Sequence, residues 1–238
     1  MKIAILSDIH SNYPALKAVV EAARQQKIKN FIVLGDFFGY YPWAVDCFLM
    51  LQELPLLAVI RGNHDEMMLQ EQGLQEQRPI YQQALQQNKS SLEKQVPEYL
   101  QWLDKLSCSA FLQHENYSLK LFHGSPDDAC NGRYYPDDEQ LYDWFPAKDE
   151  ILLMGHTHYP LLRRIPEGGV IFNPGSVGQA RDGNPFPAWG IWDTAKNSFS
   201  FERSPYDFRS VILELEKLNW HKQAILALSK DYRGKLKN

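Results

Sequence analysis

Cysteine is scarce in this chain: there are three in 238 residues, Cys47, Cys108 and Cys130. The number is odd, the spacings are wide, and no pair has the short spacing of a zinc knuckle or a redox motif. Three free thiols in a reducing cytoplasm are therefore expected. Long apolar runs are missing too. No stretch approaches the roughly 18 consecutive apolar residues of a membrane span, so no membrane association is expected. The apolar run at residues 3–6 is cut off by Asp8 and is too short for a secretory signal. An excess of positive charge is also absent. The formal net charge of −4 argues against a stable nucleic-acid complex through a broad basic surface. It leaves room for a small phosphate substrate attracted by a bound cation. There is no internal repeat and no flexible linker. What is present is a globular composition, 44% hydrophobic and 23% charged, apolar enough to build a core.

The first 60 residues alternate. Residues 3–6, 31–34 and 56–60 read as short buried strands, and 15–26 and 42–54 as helices between them. Asn12 suits the cap of the first helix and Pro14 its first turn. This alternation implies a parallel sheet with crossover helices. Residues 66–106, rich in Gln, Glu and Leu, read as a helical insertion of two or three helices, with Pro97 starting the last. The crowded Gln82, Gln83, Gln86 and Gln87 suit a solvated helix face. Residues 109–114 and 117–122 read as a hairpin turning at Glu115-Asn116. A loop follows at 124–149, with a helix expected at 137–144, and then a buried strand at 151–154. Strands at 161–165, 170–172, 188–192 and 199–203 are expected to form a second, mostly antiparallel sheet. Helices at 207–218 and 221–228 close the chain, and 230–238 is a polar end. The whole, 1–238, reads as a single domain with an insertion at about 66–106.

Histidine is also sparse, at seven residues, yet five of them fall in short polar motifs. The motifs are Asp8-Ile9-His10, Gly35-Asp36, Gly62-Asn63-His64-Asp65, His123-Gly124, Gly155-His156-Thr157-His158 and Asn173-Pro174-Gly175-Ser176. Each alone is weak, since a lone histidine is usually structural. Together they differ from chance, because the first three follow the carboxyl ends of three strands, where ligands of open α/β sheets bind. Two Asp, four His and one Asn make a donor set for two divalent ions. Asp36 is the carboxylate placed to bridge them. Asp8, His10 and one of His156 and His158 complete one ion, while Asn63, His123 and the other histidine complete the second. Mixed carboxylate, imidazole and amide donors suit Mn, Fe, Co, Ni or Zn better than Mg or Ca.

The aromatics Phe37, Phe38, Tyr40, Tyr41 and Trp43 crowd one loop, and Tyr134, Tyr135, Tyr142, Trp144 and Phe145 another. They read either as a stacking wall for a nucleobase or as packing, and packing is favoured for most of them. Tyr40 and Arg181 are kept as candidate substrate contacts, and Arg133 as a further candidate to hold a phosphate oxygen.

The ordered motif set resembles the calcineurin-like metallophosphoesterase superfamily over nearly the whole chain. The stretch Asn173-Pro174-Gly175-Ser176-Val177-Gly178-Gln179, followed by Arg181-Asp182-Gly183, is similar to its bacterial branch of small phosphodiesterases. The resemblance implies an α/β (α+β) fold, a four-layer αββα sandwich of two mixed β-sheets flanked by helices. It implies Asp8, His10, Asp36 and His158 at one metal, Asp36, Asn63, His123 and His156 at the other, and His64 at the leaving group. Protein phosphatases of the superfamily carry Gly-Asp-x-x-Asp-Arg, whose second Asp orients the catalytic histidine. Here that position is Gly39, followed by Tyr40, which argues against a protein-phosphatase or symmetric dinucleoside tetraphosphatase role. The loop also departs from the branch's Gly-Tyr-Gly-Pro, reading Gly39-Tyr40-Tyr41-Pro42, and Ala180 stands where relatives often carry Pro.

The expected activity is hydrolysis of a phosphodiester or related small phosphate ester or nucleotide by a hydroxide bridging the two metals, in the cytoplasm. An asymmetric dinucleoside polyphosphate hydrolase is the alternative enzyme. A non-catalytic scaffold of the same fold is the alternative outside enzymology.

Overall fold

The computed structural model describes residues 1–70, 73–220, 222 and 225. Its first part follows the expected alternation: β1 (Lys2–Leu6), α1 (Tyr13–Gln25), β2 (Asn30–Leu34), α2 (Ala44–Glu53) and β3 (Leu56–Ile60). The Asn12 side chain accepts from the Ala15 N–H and so caps α1. Pairing is parallel between β1 and β2 and between β2 and β3. Successive side chains of a strand face opposite ways, and this sets the layers. Ala4, Leu6, Phe31 and Val33 meet Leu16, Val19, Val20, Phe48 and Leu51 of the two helices. Ile3, Ile5, Ile32 and Leu34 face away from the helices and pack on a second sheet.

Three helices, α3 (Asn63–Gln70), α4 (Pro79–Gln95) and α5 (Tyr99–Asp104), precede that sheet. It is built from β4 (Ser109–His114), β5 (Tyr117–Phe122), β6 (Glu150–Leu153), β7 (Pro160–Arg164) and β8 (Val170–Pro174). The strand order is β4-β5-β6-β8-β7, parallel through β5, β6 and β8 with antiparallel edges. Leu119, Leu121, Ile151, Leu153, Val170 and Phe172 supply its share of the sheet–sheet contact. Each fully buried aliphatic side chain contributes about 1.5–3 kcal/mol, so this apolar seam is a main source of cohesion. The outer face is covered by Tyr134 and Leu141 of the loop at 124–149. There the chain makes a 3-10 helix at Glu139–Asp143 in place of the longer helix expected.

The last strands depart from expectation. Strands β9 (Ala188–Asp193) and β10 (Ser198–Arg203) join the first sheet, giving the order β10-β9-β1-β2-β3. The four later strands are thus divided two and two between the sheets. The open edge of β1 needs a hydrogen-bonding partner. The strand that pairs with it, β9, satisfies both layers at once: Trp189 and Ile191 join the helix side and Trp192 the sheet–sheet seam. Both five-stranded sheets are therefore mixed, as the family resemblance implied.

The cysteines also differ from expectation. Cys108 and Cys130 form a disulfide, and only Cys47, buried in α2, is free. The β4–β5 hairpin returns the chain to the start of β4, so the loop after β5 passes Cys108 although 22 residues separate the two cysteines. The free-thiol argument for a reducing compartment does not apply to this pair. Helix α6 (Phe208–Lys217) is capped by Asp207. Of the helix expected at 221–228 only residues 222 and 225 are described, and 230–238 lies outside the described residues. Among the described residues no helix is long and apolar enough to cross a membrane.

Candidate functional site

The loops after β1, β2 and β3 meet those after β5 and β6 at one end of the two sheets. Backbone hydrogen bonds join them. The amides of Asp8, His10 and Ser11 donate to the carbonyls of Gly35, Asp36 and Phe37 at 3.0, 2.9 and 2.8 Å, and Gly155 N donates to His123 O at 2.9 Å. The His156 N–H donates to Asp8 Oδ2 at 3.0 Å and bridges the sheets. Gly62 must be glycine, since a Cβ there would lie 2.1 Å from Asp36 Oδ1. Asp8, His10, Ser11, Asp36, His156 and His158 all have positive φ. Non-glycine residues avoid that region, and clusters of them mark functional sites.

The structure brings every predicted donor together. Asp8, His10 and His158 form one group of converging ligand atoms, and Asp36, His123 and His156 another. Asn63 Oδ1 lies 3.1 Å from His123 Nε2. Asp36 Oδ2 stands 3.7 Å from His10 Nε2 and 3.4 Å from His123 Nε2, between the two groups.

The imidazoles test whether a metal fits. His10 Nδ1 faces Phe38 O at 3.3 Å, His158 Nδ1 faces Gln179 O at 2.6 Å, and His123 Nδ1 faces Leu34 O at 2.7 Å. A carbonyl only accepts, so each Nδ1 carries a proton, and in its neutral form each ring would aim an Nε2 lone pair inward. The Nε2 atoms of His10 and His158 then confront each other at 3.0 Å. Asp8 Oδ1, buried and without a hydrogen bond, faces His158 Nε2 at 3.3 Å. Lone pairs aimed at one another in a dry pocket call for a cation between them.

Electrostatics agree. Burial opposes ionisation of Asp8, yet His158 and His123 hold its carboxyl well below the usual range. Burial likewise opposes ionisation of Asp36, while His123 and His64 pull it well below that range. Burial keeps His10 well below the imidazole value, and burial with His123 lowers His156 to about 3. Both are neutral at pH 7, and His156 would exchange its Arg133 hydrogen bond for an ion. Burial opposes the charge on His123, but Asp36 raises its pKa to about 9. That proton marks a position where bound cations would balance the carboxylates.

Outside the donors lies a cavity of about 710 Å³ lined by His64, Tyr40, Arg78, Tyr81, Arg133, Tyr159 and Arg181 among others. Volumes of this order accept a nucleotide-sized ligand. His64 is also close to His10 and Asp36. Its Nε2 faces the Tyr40 hydroxyl at 3.4 Å, and Arg181 Nη2 donates to that hydroxyl at 3.3 Å. Arg133 Nε donates to His156 Nε2 at 2.8 Å. Phe37, Phe38 and Tyr41 are core residues, so the packing reading holds for them.

Some supporting residues escaped sequence reasoning. Buried Asp65 accepts from the Phe37, Phe38 and Gly62 amides and so ties the second motif to the third. Its place beside His64 was the signal available. The sixth motif, Asn173-Pro174-Gly175-Ser176, contributes through its hydrogen bonds. It frames the site: Asn173 Nδ2 donates to Gly155 O at 2.7 Å and Ser176 Oγ to Asp8 O at 2.8 Å. Asn88 of α4 accepts from Gly39 N at 2.9 Å and donates to Tyr41 O at 2.8 Å, a role no motif signals.

A stacked pair of mixed sheets with clustered His and Asp donors at one end defines a metallophosphoesterase-type site. Residues 1–197 match the calcineurin-like phosphoesterase superfamily domain, and the chain belongs to that superfamily. Its members normally bind divalent metals and hydrolyse phosphoesters. The chain is similar to protein MJ0912 of Methanocaldococcus jannaschii, 29% identical over 230 residues, covering 90% of this chain and 92% of that one. It is also similar to the crystal structure of a metallophosphoesterase from Sphaerobacter thermophilus, 26% identical with a TM-score of 0.78, covering 97% of this chain and 99% of that one. The structure of PH1004 from Pyrococcus horikoshii shares the fold at 20% identity with a TM-score of 0.80, covering 95% and 97% of the two chains.

Proposed function

We propose that this phosphoester hydrolase uses two divalent ions, of the Mn, Fe, Co, Ni or Zn kind, to cleave a phosphodiester or related small phosphate ester. The observation that carries the reading is Asp36 Oδ2, set between the His10 and His123 nitrogens with donors converging on either side. In the proposed assignment Asp8, His10, Asp36 and His158 hold one ion, and Asp36, Asn63, His123 and His156 the other. Bound there, the ions supply Lewis-acid stabilisation of the phosphoryl oxygens and an acidified water. The carboxylates of Asp8 and Asp36 leave the pair of ions a net positive charge that attracts phosphate. His64, at the cavity wall, stabilises the departing oxygen and assists its protonation. Arg133 and Arg181 provide guanidinium donors for phosphate oxygens. Three arginines in one cavity, Arg78, Arg133 and Arg181, also suit a substrate with adjacent phosphates, which favours a phosphoanhydride such as an asymmetric dinucleoside polyphosphate as the second reading.

A screen of the metal-reconstituted protein tests this, comparing p-nitrophenyl monoester, bis-p-nitrophenyl phosphate, cyclic nucleotides and dinucleoside polyphosphates. Asp36→Asn should remove metal and activity together. His64→Ala should keep the metals and lower kcat by about 100-fold or more. A wild-type rate in His64→Ala, or full metal content in Asp36→Asn, refutes the assignment.

A further inference from the structure

The ring of His64 makes one hydrogen bond among the described residues, between Nε2 and the Tyr40 hydroxyl at 3.4 Å, and its buried Nδ1 makes none. Gly39 lies against that nitrogen and has no side chain to offer it. At Gly39 φ is +142°, and a Cβ would lie 2.9 Å from His10 Nδ1 and 3.1 Å from His64 Nδ1. An orienting side chain at position 39 is therefore excluded by contact with His10.

Tyr40, one residue on, is held from every side. Its ring stacks on His10 with centroids 4.2 Å apart and a 25° interplanar angle, and Tyr81 covers it at 4.6 Å. With two rings against it and 6% of the residue exposed, the ring offers little surface on which a base can stack. Packing is therefore the reading that these contacts favour for the ring of Tyr40. It meets His64 edge-on at 5.0 Å and 84°. Asn88 binds the backbone on both sides, at Gly39 N and Tyr41 O. Trp220 Nε1 donates to the Tyr40 carbonyl at 3.2 Å. Arg181 can only donate, so it occupies a lone pair of the Tyr40 oxygen and fixes where the hydroxyl points.

We propose that Tyr40 is the positioning residue for His64: its ring edge and hydroxyl hold the imidazole plane at the cavity wall, and a leaving-group oxygen would take the hydroxyl's place at Nε2. The inference rests on the functional reading above. It gives this chain an Arg181–Tyr40–His64 brace built from the residue after Gly39.

The test is Tyr40→Phe, which keeps the ring contacts and removes the oxygen. Full-length, metal-reconstituted protein is assayed on aryl phosphodiesters whose leaving phenols grow more basic. If Tyr40 acts through His64, kcat falls about two-fold for p-nitrophenolate and about ten-fold or more for phenolate, with KM nearly constant and metal content unchanged. Tyr40→Phe in a His64→Ala background then causes no further loss. An equal fall for every leaving group, an additive double variant, or a raised KM at constant kcat overturns the proposal. The imidazole 15N resonances of His64 provide a readout without turnover. They should shift in Tyr40→Phe, and an unchanged spectrum overturns the proposal even if no tested ester is hydrolysed. An inactive wild type with a shifted spectrum counts against the functional reading alone.

Discussion

Substituting Gly62 by Ala probes the site at its tightest backbone approach. A methyl group there would lie 2.1 Å from Asp36 Oδ1, 2.5 Å from Asp36 N and 2.7 Å from His123 Cε1. All three contacts are too short, so the Asp36 backbone and the His123 ring must give as well as the carboxylate, and all three serve the proposed metal site. Reaching ordinary contact requires a retreat of about 1.3 Å. Metal–ligand distances tolerate about 0.2 Å. The carboxylate proposed to bridge both ions therefore leaves range, and the His64 N–H, which donates to Asp36 Oδ1 at 2.9 Å, loses its acceptor. Overpacking of this kind costs about 1–3 kcal/mol, which a domain of this size survives. Gly62→Ala should therefore fold, with unchanged far-UV circular dichroism, while equilibrium dialysis followed by elemental analysis shows metal content and activity lost together. A folded variant with both ions at wild-type affinity would refute the placement of Asp36 between them.

Two further predictions concern the frame. Asp65→Ala leaves three backbone N–H groups without their acceptor. We expect a loss of about 3 kcal/mol or more by denaturant unfolding, and metal affinity about 10–100-fold weaker by titration calorimetry. Asp65→Asn, which keeps one accepting oxygen, should fall between. The Cys108–Cys130 bond constrains a 22-residue separation, so Cys130→Ser should cost about 3 kcal/mol. That corresponds to a Tm about 6–12 °C lower, and dithiothreitol should shift the wild type, but not the variant, by a similar amount. A thiol titration that finds three free cysteines in the native protein would contradict the pairing.

The parts of this molecule legible in sequence are those set by local pattern. Strands β1, β2 and β3 are short apolar runs ended by Asp8, Asp36 and the Gly62 motif, and a parallel strand buried on both faces must look that way. The cluster of proposed donors was legible because a metal site would restrict its ligands to a few residue types. Partnership between distant segments was not legible. Nothing in residues 188–193 says that their pairing partner is β1 and not another strand of the second sheet, since an antiparallel edge accepts any strand of suitable polarity and burial. The Cys108–Cys130 pairing depends on a hairpin bringing its ends together. The helix expected at 137–144 shortens to a 3-10 segment where Leu141 packs against the second sheet. Asp65 acts on backbone amides of a loop some 28 residues away, which leaves no mark in the side chains of that loop.

The backbone itself separates the demands of the fold from those of the site. Among the described residues eleven non-glycine positions have positive φ, and six of them are Asp8, His10, Ser11, Asp36, His156 and His158. The left-handed conformation costs an L-residue on the order of 1–2 kcal/mol. A sandwich needs turns after its strands, and glycine would make them without that cost. Only a requirement on the side chain explains aspartate and histidine at these positions, and five of the six are proposed donors. Ser11 is the exception. Its hydroxyl donates to Asn88 at 2.6 Å, and Asn88 in turn binds the backbone on both sides of Tyr40. The strained positions therefore divide between those that would hold the cations and one that holds the loop of Tyr40. That division is what a site with a metal centre and a separately braced His64 requires.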